Sequence, residues 1–172
     1  MIRKICMAIL IVVTALVQCL LFQVFEIASI KPNLLLIVTI SFGLMRGRTS
    51  GLLTGFFSGL ALDIMFPGQL GMQALIYMWI GYLSGYCYRI FYDDDIKTPL
   101  MLVTLGDLVY GLYIYIGTFL IRGRTGFFFY LGRIIIPELL YTIMMTILLY
   151  RPLHWLNKLI SRTDKRSIDS LV

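Results

Sequence analysis

The sequence predicts an all-α integral membrane protein, folded as a bundle of six transmembrane helices. Hydrophobic residues make up 59 % of the 172 residues, and charged residues only 14 %. A soluble domain of this length could not remove so much apolar surface from water. The apolar residues also come in long runs, and backbone groups in hydrocarbon must be satisfied within each run, which favours helices.

Six apolar segments can be distinguished. The first and the last three have about 20 residues or more, enough to cross a hydrocarbon core of about 30 Å. The second and third are shorter and cross only if the bilayer thins or their flanking side chains snorkel, so a buried helical hairpin is the alternative for that pair. The segments are Ile5–Phe25, Pro32–Met45, Gly51–Phe66, Gly71–Tyr92, Thr98–Ile121 and Phe127–Tyr150.

Local signals mark several of the boundaries between segments. Pro32 is predicted to open the second helix, and Pro99, with Thr98 as its cap, is predicted to open the fifth. The stretch PGQLG (67–71) predicts a tight outer turn between the third and fourth helices.

The C-terminal region is predicted to leave the bundle after Pro152. In LHWLNKLISR, four apolar residues share one helical face, which is typical of a helix lying along the inner membrane surface. Residues 1–162 are thus expected to form one membrane domain with this interfacial helix, and residues 163–172 a short, disordered cytoplasmic tail. The four residues are Leu153, Leu156, Leu159 and Ile160.

The basic residues predict the orientation of the chain. With six crossings and a cytoplasmic N-terminus, only Lys31, Arg122 and Arg124 fall outside, and Arg133 lies within the last span. The other lysines and arginines of the total of 15 fall on the cytoplasmic side. This asymmetry favours cytoplasmic termini, and charge placed at segment ends indicates contact with the lipid bilayer rather than with nucleic acid.

No catalytic, cofactor or metal site is predicted. Cys6, Cys19 and Cys87 show no metal-ligand spacing, and His154 is the single histidine. No nucleophile–base pair and no phosphate-binding loop can be identified. The sequence therefore predicts a protein that is not an enzyme.

Glycines in two segments predict close helix packing. Gly51, Gly55 and Gly59 recur every four residues, which removes side chains along one stripe of the third helix and lets a neighbour approach. Gly81 and Gly85 have the same spacing on the fourth segment. The alternative is that these glycines only reflect the frequency of glycine in membrane helices.

Four ionisable residues lie within the apolar segments: Asp63, Asp107, Arg133 and Glu138. Such residues usually face the protein interior or a cavity and pair with one another. One basic residue among three acids favours helix-to-helix pairing, with a proton path or a ligand site as the alternatives. Asp63 and Arg133 lie at similar depths near the outer surface, so the sequence predicts an ion pair between them, with Asp107 within reach of Arg133 as the alternative partner.

The ordered set of motifs resembles the family of the rod shape-determining protein MreD, over nearly the whole chain. These motifs are KPNLLLI (31–37), MRGRTSGLLTGFFSGLALDI (45–64), GQLGMQALIYMWIGYLSG (68–85) and, before a basic tail, IIIPELLYT (134–142). Relatives often carry Arg-Pro-Asp where this chain has Lys31-Pro32-Asn33, which keeps the charge and the helix start but lacks the carboxylate.

The resemblance implies a multi-pass protein of the bacterial inner (plasma) membrane that belongs to the cell-elongation machinery, the elongasome. It would bind the bitopic membrane protein MreC and, through it, the actin-like MreB and the elongation glycosyltransferase with its transpeptidase. Such a scaffold would help to position peptidoglycan synthesis in cell wall biogenesis and so control cell shape. The glycine stripe would then build the fold or a docking face for a partner helix, with Asp63 in its polar lock.

The alternative is the substrate-binding membrane subunit of an energy-coupling-factor transporter for vitamins or other small molecules. These subunits are also small six-span proteins, and the fold of the MreD family resembles theirs. They typically dock their transmembrane partner through Ala-x-x-x-Ala stripes on the first helix. Here Ala8 and Ala15 are seven residues apart, and no such stripe is present.

Overall fold

The computed structural model describes residues 2–24, 32–65, 71–89, 96–117 and 127–169, and these residues are almost entirely helical, with no strand among them. A short 3₁₀ turn (Cys87–Arg89) extends α4, and a π-helical segment (Leu131–Ile135) connects α6 to α7. The helices are α1 (Ile2–Val24), α2 (Leu34–Arg46), α3 (Arg48–Met65), α4 (Met72–Tyr86), α5 (Lys97–Tyr115), α6 (Phe127–Tyr130) and α7 (Ile136–Asp169).

Helix α2 forms the centre of the bundle. All residues from Leu34 to Gly43 are buried, and the helix packs against α1, α3, α4, α5 and α7. A helix enclosed on every side must be apolar all round, as LLLIVTISF almost is. Asn33 is its N-cap, so the helix begins just beyond the predicted proline start at Pro32.

A single residue, Gly47, connects α2 to α3. Its φ of 87° lies in the left-handed region, which glycine adopts without the steric penalty of a Cβ atom. The chain can therefore reverse in one residue, and α2 and α3 pack closely against each other.

Within the described ranges, two helical stretches are long and apolar enough to cross a membrane by length and composition, Lys97–Tyr115 and Leu131–Trp155. Helix α2 has 13 residues, about 20 Å at 1.5 Å per residue, which is less than a hydrocarbon core of about 30 Å. This length fits the buried-hairpin alternative for the second and third segments as well as a crossing in a thinned bilayer.

Helix α5 begins one residue before its predicted cap. Its N-cap position is Ile96, which makes no side-chain capping hydrogen bond, so Thr98 lies inside the helix. Pro99 falls in the first turn, where its missing N–H would have had no intrahelical acceptor in any case.

Helix α7 differs from the prediction at the C-terminal end. It runs without interruption from Ile136 to Asp169, with Pro152 inside it. A proline removes one backbone hydrogen bond from a helix but does not have to end it. The helix therefore does not break at Pro152, and the predicted tail is helical as far as Asp169; residues 170–172 lie outside the described part of the chain.

Candidate functional site: the α3–α4 seam and the polar core

The glycines of α3 lie directly against the backbone of α4. A Cβ atom on Gly51 would overlap the carbonyl oxygen of Gly81, and one on Gly55 would overlap the carbonyl of Tyr77. A Cβ atom on Gly59 would lie 2.5 Å from Cα of Ala74. At these three positions the two helices approach so closely that no side chain fits between them.

The glycines of α4 face α3 in the same way. A Cβ atom on Gly81 would overlap the carbonyl of Gly51, and one on Gly85 would lie 2.5 Å from Cα of Arg48. These pairs run in opposite chain directions, so α3 and α4 form an antiparallel hairpin. We call this line of contacts the glycine seam.

Helix α2 joins the same contact through Gly43, which was not among the glycines predicted to pack closely. A Cβ atom there would overlap Oγ of Ser84 and would lie 2.9 Å from the carbonyl oxygen of Gly81. Thr39, one turn earlier, lies against Gly81 as well. In the sequence, the feature that indicates this contact is a pair of small residues four apart, Thr39 and Gly43, on a helix that is otherwise mostly apolar.

Asp63 continues the glycine stripe by one further turn. Its side chain accepts hydrogen bonds from backbone N–H groups at the start of α4. Its carboxylate accepts hydrogen bonds from the backbone N–H of Gly71 at 3.0 Å, of Gln73 at 3.2 Å and of Ala74 at 3.0 Å. Gly71 occupies the N-cap position of α4 and has no side chain with which to cap it. Asp63, which is 3 % exposed, therefore caps α4 from the neighbouring helix.

The predicted ion pair between Asp63 and Arg133 is not formed. Arg133 lies in the π-helical segment, exposed, with its guanidinium 5.6 Å from the ring centre of Phe129. Helix α3 packs mainly against α4, α2 and α1, so Asp63 finds its donors on α4. The predicted pair rested on the similar depths of Asp63 and Arg133 along their helices. Depth does not determine which helix faces pack against each other.

Asn33 connects three helices at the buried end of α2. Its side-chain oxygen accepts hydrogen bonds from the N–H of Leu36, at 3.3 Å, and from the hydroxyl of Tyr77 on α4. Its backbone N–H donates to Oγ1 of Thr142 on α7, at 3.3 Å. In the sequence, Asn33 stands where relatives often carry an aspartate, and an asparagine before an apolar run is itself an N-cap signal.

Asp107 on α5 lies in the same polar cluster. The residue is 3 % exposed, and its carboxyl group faces the side chains of Thr142 and Asn33. One of its oxygens, Oδ1, has no hydrogen-bond partner within the described part of the chain. Glu138 lies one turn before Thr142, whose hydroxyl donates to the Glu138 carbonyl oxygen at 2.9 Å.

Further hydrogen bonds connect the bundle around this cluster. The N–H of Leu35 donates to Oε1 of Gln18 on α1 at 3.0 Å, and the hydroxyl of Tyr110 on α5 donates to Oε1 of Gln73 on α4 at 3.2 Å. Over the residues the structure describes, no group of three or more His, Cys, Asp or Glu side chains could hold a metal ion. The hydrogen bonds of this cluster and around it connect neighbouring helices to one another.

Comparison with protein families gives this architecture a biological setting. The family model of the rod shape-determining protein MreD matches residues 1–160, from α1 into α7. The chain belongs to the MreD family. MreD proteins determine rod shape and are not a known enzyme family, and nothing supports the transporter alternative. No curated protein and no solved structure matches the chain.

Proposed function

We propose that this MreD-family protein is a non-enzymatic, multi-pass scaffold of the bacterial cell-elongation machinery in the plasma membrane, with both termini in the cytoplasm. The observation that carries the proposal is the family match over residues 1–160 of the 172-residue chain. The excess of basic residues at the predicted cytoplasmic ends supports the orientation.

The surface of the bundle supports a location in lipid. Large apolar side chains are widely exposed, including Met101 at 75 % and Leu148 at 68 %. Water would disfavour so many exposed apolar groups, whereas the acyl chains of a bilayer accept them. The polar side chains of the core, by contrast, are enclosed between the helices of the bundle.

The proposed partner is an MreC-like bitopic protein, through which the scaffold acts on MreB and on the glycosyltransferase and transpeptidase of elongation. A scaffold has to keep one shape while partners bind. The glycine seam, the Asp63 cap and the Asn33 cluster support this role because they join the central helices through backbone contacts and buried hydrogen bonds, which leave little freedom to rearrange.

The experiment is depletion of the protein in its native cell, followed by complementation. Depletion is expected to give rounded, widened cells, and the wild-type chain is expected to restore rods and to co-purify a single-span membrane protein. The variant Gly55→Leu, which disrupts the seam, should restore neither, whereas Phe56→Leu, a neighbouring substitution on an exposed side chain, should restore both. Normal rods after depletion, or tight binding of a vitamin-sized ligand, would contradict the proposal.

A further inference from the structure

A small polar pocket lies where α2 turns into α3, within the MRGRTSG stretch. Its volume is about 300 Å³, and part of its floor is backbone, because Gly85 approaches the backbone nitrogen of Arg48 too closely for a side chain. No acidic residue is among the described residues that line it. The lining residues are Gly47, Arg48, Thr49, Gly85, Tyr86 and Tyr88.

Arg48 gives this pocket its charge. The guanidinium carbon lies 3.4 Å from the ring centre of Tyr86, so the flat cation rests on the face of the aromatic ring. This stacking holds the guanidinium in place while its N–H groups, which lie at its edge, stay available to an acceptor. Arg48 makes no ion pair or hydrogen bond with any side chain that the structure describes, and neither does the hydroxyl of Thr49 beside it.

A positioned guanidinium that pairs with none of the described carboxylates, next to a hydroxyl donor, is suited to bind an oxyanion with two N–H groups at once. We propose that this pocket binds an anionic phosphate group, from the headgroup of an acidic phospholipid or from free phosphate. The lipid source depends on the proposed membrane location, whereas anion binding itself does not. The second arginine of the turn, Arg46, is placed differently, with its guanidinium 5.0 Å from the ring centre of Phe42, and does not line the pocket.

The test uses the full chain, purified in a neutral detergent, and measures lipid binding by native mass spectrometry. Phosphatidylglycerol is titrated against zwitterionic phosphatidylcholine, and inorganic phosphate is titrated separately by thermal shift. The matched pair of variants is Arg48→Gln and Arg133→Gln. Both remove one positive charge from an exposed side chain, but only the first alters the pocket.

We expect wild-type protein to prefer phosphatidylglycerol. Arg48→Gln should bind this lipid about tenfold more weakly, because it loses a pair of charge-assisted hydrogen bonds. Arg133→Gln keeps that pair and should bind as wild type. Stabilisation by inorganic phosphate that depends on Arg48 would identify free phosphate as a ligand. A preference for phosphatidylglycerol without stabilisation by phosphate would identify the lipid headgroup. Tyr86→Leu, which keeps the charge but removes the stacking surface, should also weaken binding.

Three results would overturn the inference: no preference for the anionic lipid together with no stabilisation by phosphate, an Arg48→Gln variant that binds as wild type, or equal losses in the Arg48 and Arg133 variants. The last result would indicate a net-charge effect. Thermal unfolding of each variant without ligand shows whether the fold is intact. Because shape complementation is measured in cells and anion binding on purified protein, the two proposals can fail separately.

Discussion

The carboxylate of Asp63, on the last turn of α3, accepts a hydrogen bond from the backbone N–H of Ala74, in the first turn of α4, at 3.0 Å. One turn of α3 earlier, Gly59 lies against the same Ala74. The carboxylate and the glycines therefore both serve the packing of α4 against α3. The glycines bring α4 against the backbone of α3, and Asp63 satisfies the N–H groups that begin the incoming helix.

Removing the cap should destabilise the bundle. Asp63→Ala leaves three backbone N–H groups without their acceptor, one of them on the buried Ala74, and we expect it to lower the free energy of unfolding by about 1–2 kcal/mol. Asp63→Asn keeps an acceptor oxygen and should lose less. The measurement is denaturant unfolding of the purified protein in detergent micelles, followed by circular dichroism.

Arg133→Ala is the control for this prediction, because its exposed side chain makes no contact with Asp63. Its free energy of unfolding should stay within about 0.5 kcal/mol of wild type. If Arg133→Ala and Asp63→Ala destabilised the protein equally and non-additively, the two residues would be coupled, contrary to the structure.

The glycine seam should not tolerate even one methyl group. Gly55→Ala places a Cβ atom onto the carbonyl of Tyr77, a backbone atom that cannot rotate away, and we expect a loss of about 1–3 kcal/mol. Gly132→Ala is the matched control, since a Cβ atom there meets no atom within 4 Å. A thermal unfolding midpoint that falls for Gly132→Ala and not for Gly55→Ala would refute the seam.

Asn33 and Tyr77 should be energetically coupled. Tyr77→Phe removes only the hydroxyl that donates to the Asn33 side chain, and Asn33→Ala removes the acceptor together with the cap of α2. A double-mutant cycle on the free energy of unfolding should give a coupling of about 1 kcal/mol. Strictly additive losses would mean that the hydrogen bond contributes nothing to stability.

The orientation can be tested with reporter fusions. A fusion after Val172 should report the cytoplasm, and one inserted between Pro67 and Leu70 should report the outside, because the basic residues favour a cytoplasmic N-terminus and six crossings. Both fusions on one side of the membrane would contradict the three crossings predicted between residue 70 and the C-terminus.

The sequence by itself determined the helical class, the positions of most helices and the close approach at Gly51, Gly55 and Gly59. These properties are local or periodic, since apolar runs and i, i+4 spacing can be counted along the chain. The same spacing could have placed Asp63 on the seam, because it continues the stripe by four residues. The predicted partner of the Asp63 carboxylate was instead Arg133, because the two residues lie at similar depths along their helices.

Only the tertiary structure decided which residues meet across helices. Asp63 meets the start of α4, Asn33 connects Tyr77 to Thr142, and Gly43 brings α2 to the seam. The physical reason is that helix packing depends on the rotation of each helix about its axis and on its neighbours, and the composition of a single segment specifies neither. A carboxylate can be satisfied by an arginine or by three backbone N–H groups, and only the arrangement of the helices selects between them.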